Sequence, residues 1–167
     1  MKKTGLVLIV VGLVSVLLAS GAFAGSDTKQ LTINATVSNT AKLSLDASTI
    51  SFGNADPDAT PSIGSAPASV GITAKAKTTT NGAVTLTVKT NDDLKSGTDA
   101  IGITNMTWSA SGTGFVAGTM NKSTDQSVGG WNGSGDRSGS CTFLLANSWS
   151  YPTGNYSATA TYTLTSP

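Results

Sequence analysis

Nine aspartates are the only acidic side chains in this 167-residue chain; there is no histidine, and a single cysteine stands at Cys141. Without an imidazole the chain lacks the usual proton carrier near neutral pH and the commonest metal ligand. One thiol makes neither an internal disulfide nor a multi-thiolate zinc site. A Ser-His-Asp set is impossible, and no glycine-rich phosphate loop occurs. Two carboxylate groupings remain. Asn54, Asp56 and Asp58 are spaced like the opening ligands of a calcium loop. An EF-hand would need Gly at its sixth position and Glu at its twelfth, where this chain has Ala59 and Ser65, and Pro57 stands inside, so the expectation is a plain turn. Asp92 and Asp93 form a carboxylate pair in sequence. Adjacent strand residues point to opposite faces, so they read as a solvated turn before Leu94. No catalytic, cofactor-binding or metal-binding residue is assigned, and the chain reads as non-enzymatic with no cofactor.

Three further groups carry weaker chemistry. Trp131, Trp149 and Tyr151 lie beside Gly, Asn, Ser and Pro, where loops display them, and exposed rings of this kind stack on sugar faces. They are candidate glycan contacts; the competing reading is that they plug the open ends of the fold. Cys141 shares its apolar phase with Phe143 and Leu145, which predicts burial, against the alternative of a bond to another subunit. Asn34, Asn105, Asn121, Asn132 and Asn155 each open an Asn-x-Ser/Thr triplet, as chance allows among 22 Ser and 26 Thr.

The elements that must position these residues are β-strands. With 48 hydroxyl residues, 19 Gly and no Glu, the composition disfavours helix. The N-terminus reads as a signal peptide over residues 1–24: Lys2 and Lys3, an apolar run from Leu6 to Leu18, and the small-x-small site Ala22-Phe23-Ala24. The run falls short of the roughly 20 residues that span a bilayer. Cleavage there leaves residues 25–167 as a single domain with eight basic against nine acidic side chains. Such a balance, with no basic cluster, argues against nucleic acid and against a polybasic membrane surface. The expected location is periplasmic, extracellular or at the cell surface, with no membrane span in the mature chain.

Period-2 alternation recurs along the rest of the chain. Leu31, Ile33, Ala35 and Val37 alternate with Thr32, Asn34 and Thr36. Leu43 with Leu45, and Ile50 with Phe52, follow; Asn54 to Pro67 reads as a loop. Val70 to Ala76 and Val84 to Val88 are predicted to form a hairpin across Asn81-Gly82. A change of phase between Ile103 and Met106 predicts a bulge. Met120 to Gly139 reads as a polar stretch anchored by Val128 and Trp131. Cys141 to Leu145 and Tyr156 to Leu164 complete about eight or nine short strands, the pattern of an all-β, two-sheet antiparallel sandwich.

The run Gly154 to Leu164, ending at Pro167, resembles the closing strand of WxL-type surface domains, with Tyr162 where that family's Trp-x-Leu motif has Trp. Gly82 to Val88, Leu94 and Ile101 to Thr104 are similar to the middle of those domains. Leu31 to Val37 and Ile50-Ser51-Phe52-Gly53 resemble the start of spore-coat-U and fimbrial-subunit sandwiches, which usually carry Cys near the position of Ala41. These resemblances imply an immunoglobulin-like sandwich at the cell surface, serving cell-wall attachment in the first family and pilus-like assembly in the second.

Two functions follow as expectations. The leading one is a structural or adhesive surface or coat subunit that self-assembles or joins other surface proteins, with Leu31, Ile33, Ala35 and Val37 as a strand-exchange segment. For that segment the competing reading is the domain's own first strand. The alternative function is a cell-wall glycan-binding module using Trp131, Trp149 and Tyr151.

Overall fold

A computed structural model describes residues 27–167; the signal-peptide reading lies outside them. The chain divides into two units, residues 1–35 and 36–167. Of the first, residues 27–35 are exposed and carry no strand. The second holds twelve strands: β1 (Thr40–Leu45), β2 (Ser51–Phe52), β3 (Ser62–Ala66), β4 (Val70–Lys77), β5 (Ala83–Thr90), β6 (Leu94–Ser96), β7 (Asp99–Ile101), β8 (Met106–Ser111), β9 (Gly118–Thr119), β10 (Gln126–Asn132), β11 (Gly135–Ala146) and β12 (Ala160–Thr165).

The architecture is an all-β antiparallel sandwich. In one sheet the long β11 is the spine: β4 and then β3 pair along one of its edges and β8 along the other, with β1 beyond β4, β2 beyond β3 and β9 beyond β8. The second sheet has the order β10-β5-β12, and β6 and β7 form a small ribbon. Alternation places Val70, Ile72, Ala74 and Ala76 of β4 inside, opposed by Val84, Leu86 and Val88 of β5. Phe143, Trp108, Met106, Met120, Val128 and Cys141 fill the space between. Each large side chain removed from water contributes roughly 1.5–3 kcal/mol before ordering entropy is subtracted, so this layer holds the sheets together.

Five expectations are corrected. β4 and β5 do not form a hairpin. Both edges of β4 are taken by β1 and β11 and both edges of β5 by β10 and β12, so the chain at Asn81-Gly82 crosses between sheets. The turn there is closed by the Gly82 N–H donating to the Thr79 carbonyl at 3.0 Å, and among the described residues no non-glycine residue has positive φ, so the mirror-image hairpin turn is absent at Asn81-Gly82. A second crossing, between β10 and β11, stacks on it: the Ser134 hydroxyl receives the Thr78 N–H and donates to the Thr78 carbonyl. The Pro-rich stretch 54–67 contains a short strand, β3, between β11 and β2, with its prolines outside the ladder on either flank. The polar stretch 120–139 contains β10 and opens β11; at Gly129, Gly130 and Gly139 an added Cβ would meet the backbone of a neighbouring segment, so glycine permits that close approach. Residues 31–37 form no strand. The change of phase before Met106 is a 3-10 turn, Ile103–Asn105, rather than an extra residue in a ladder.

Candidate functional site

The sandwich is open along one seam. β1 pairs only with β4 and β12 only with β5, so among the described residues each leaves a free edge, and the two strands lie side by side unpaired. Leu43 and Leu45 of β1 and Tyr162 and Leu164 of β12 are only partly covered there and pack against the core. The seam widens at one pole into a cleft of about 1460 Å3. Its apolar floor includes Ile103, Met106, Met120 and Phe143, and its walls Leu45, Phe52, Tyr156 and Tyr162. Burial pushes the Tyr162 phenol well above its ordinary range, as expected for a ring turned into an apolar interior.

The predicted strand-exchange residues present the opposite situation. Leu31, Ile33 and Val37 are 85%, 83% and 75% exposed, and Ala35 is exposed as well. Isolated exposed apolar residues are ordinary; here an alternating set lies together on a stretch that pairs with no sheet.

The pole of the cleft also carries two of the three predicted ring contacts. Trp149 is 70% exposed, while Tyr151, two residues on, is half-buried against the core. The Trp149 indole N–H donates to Asp58 Oδ1 at 3.1 Å. Asp58 is in turn set by Asp56, whose Oδ1 accepts the Asp58 N–H at 2.9 Å and whose carbonyl accepts from Thr60. Asn147 ties the two loops together, its amide donating to the carbonyls of Ala55 and Thr60, both at 3.0 Å. The predicted turn at Asn54, Asp56 and Asp58 is therefore a brace for an aromatic ring. Asn147, and the part Asp58 plays in holding Trp149, went unnoticed in the sequence, since nothing in their spacing links residues about ninety apart.

Trp131 stands elsewhere. It packs at Gly135, the first residue of the twelve-residue β11, which at roughly 3.3 Å per residue runs about 36 Å to Ala146 beside the Trp149 loop. The Arg137 guanidinium lies 5.8 Å from its ring centroid, and the indole N–H and Arg137 Nε are buried with no hydrogen-bond partner. Trp131 thus closes the far end of the sandwich, and the three rings do not form one platform.

The Asp92-Asp93 pair is more ordered than a solvated turn. Asp93 Oδ1 accepts the N–H of buried Ile103 at 2.9 Å, and its Oδ2 and Asp92 both face Lys122. The Lys122 ammonium, then the Ile103 amide, hold the Asp93 carboxyl below its usual range; the Asp93 amide does the same first for Asp92. Cys141 is fully buried, and desolvation pushes its thiol up to about 11. A protonated, covered thiol is a packing residue. Among the described residues no group of three potential metal-ligating side chains converges, and no helix is long and apolar enough to cross a membrane.

No protein-family model and no curated protein matches this chain.

Proposed function

We propose that the chain is an exported, non-catalytic structural subunit that joins further copies of itself by β-strand addition. The observation that supports this most is a matched deficiency. The sandwich has free strand edges beside an apolar seam, and the chain has an exposed segment whose apolar residues alternate with polar ones, so that they would share one face of an extended strand. In the proposed assembly, Leu31, Ile33, Ala35 and Val37 of one copy fill the seam of the next, while their backbone pairs with a free edge. A segment that leaves its own domain to complete another makes a heterologous contact, and such contacts propagate into rings or filaments.

The test is the size distribution of the purified exported chain, by gel filtration and electron microscopy. Multimers that persist on dilution are expected, and they should vanish on deletion of residues 25–38 or in the Leu31→Asp, Ile33→Asp double variant. The described residues that these changes touch, 27–38, are exposed, so the urea midpoint of the sandwich should stay unchanged. A strictly monomeric elution that the deletion does not alter would rule the reading out.

A further inference from the structure

We infer that the Trp149 tip is a sugar-stacking site for a β-linked glycan of gluco-configured hexopyranoses. The inference rests on observations separate from the open seam and stands or falls independently of assembly. A ring that is 70% exposed leaves much apolar area in water, yet this one is held in place by three linked devices: the Asp58 carboxylate on its N–H, the Asp56 turn beneath Asp58, and the Asn147 amide bridging the two loops. An aromatic side chain has only two rotatable angles, so a ring already fixed loses little entropy on binding.

The surroundings decide the class of ligand. A protein-docking hot spot sits inside a larger apolar patch that excludes water. The cleft that Trp149 helps to line instead carries exposed polar residues, Asn54, Asp56, Asn155 and Thr153 among them, with Pro152 as an exposed apolar one. The side chains of Asn54 and Asn155 make no hydrogen bond among the described residues, and one oxygen of each of Asp56 and Asp58 is likewise uncommitted. A flat apolar face with a carboxylate on its N–H, in a cleft that also carries uncommitted amides, matches a pyranose, which offers a C–H face for stacking and equatorial hydroxyls at its edge. The carboxylates set against the ring disfavour acidic sugars.

The test is calorimetric titration of the full exported chain with cellotriose and with chitotriose. Binding of at least one, with a Kd up to about 10 mM, is expected, weakened at least about tenfold in Trp149→Ala and kept within about fivefold in Trp149→Phe, which retains a stacking face. Urea midpoint and multimer distribution, read on the same variants, should match the parent chain, which separates loss of the ring from loss of the fold or of assembly. Absence of heat with both sugars would overturn the inference, as would equal binding by Trp149→Ala. A Trp149→Ala variant that binds sugar normally but no longer multimerises would reassign the ring to a contact between copies.

Discussion

Replacing Asp93 with Ala removes the acceptor that anchors the 3-10 turn beneath the cleft. Ile103 is 1% exposed, so its N–H has no water to turn to once the Asp93 Oδ1 bond of 2.9 Å is gone. Stranding a buried donor costs about 1–3 kcal/mol, and a charge-assisted bond lies toward the upper part of that range, so about 2 kcal/mol is expected for Asp93→Ala. Asp93→Asn keeps an oxygen at the same place and should lose less than about half as much. The neighbouring Lys122 ion pair is largely exposed and adds little. Urea unfolding followed by tryptophan fluorescence reads both variants; with a slope of about 2 kcal/mol per molar, Asp93→Ala lowers the midpoint by about 1 M. The pH dependence supplies a second check. The folded carboxyl sits below its ordinary value of 3.8, so its contribution is complete above pH 3.8 and fades as the pH falls through the lower folded value. The gap between parent and Asp93→Asn should therefore be constant near neutrality and close in acid. Equal losses in the Ala and Asn variants would refute the argument, because they would assign the effect to charge rather than to the stranded amide.

Phe143→Ala, at a fully covered position in the centre of the sandwich, should cost about 3–5 kcal/mol in the same urea assay. A Cβ added at Gly118 would collide with the Trp108 ring, so Gly118→Ala should lose about 1–3 kcal/mol and shift the buried-tryptophan emission. The Cys141 thiol, buried and raised to about 11, should resist iodoacetamide at pH 8 in the native chain and react promptly in denaturant. Native labelling at the rate of a free thiol would place it at a surface.

The burial phase of nearly every strand was legible from alternation: Val70 to Ala76, Val84 to Val88 and Cys141 to Leu145 all point inward as their spacing predicts. Alternation tells which face of a strand is covered and is silent on which sheet the strand joins. That is why Asn81-Gly82, a good hairpin turn by composition, sits on a crossing between layers. Sheet membership is settled by partners distant in sequence, such as Arg137 opposite Ala74. The same limit governs the tip. Trp149 and Tyr151 were visible as loop aromatics, whereas the Asp58 carboxylate that orients the indole comes from a turn 91 residues away. Leu31 to Val37 shows the converse case: its pattern is that of a strand, but a pattern carries no information about whether a partner lies in the same chain.

The long spine strand has a consequence for how such a chain is made. β4 meets only β1 early in the sequence and must wait for residues 135–141 to cover its other edge, while β5 has no neighbour at all until β10 and β12 follow. A polypeptide emerging N-terminus first would therefore expose its most apolar ribbons, unmatched, until the final quarter had appeared. Closure of this topology is thus a late event dominated by distant pairings, a regime of slow folding and of sticky nascent edges. Any factor that shields those edges during emergence would raise the yield of native molecules without altering their final stability.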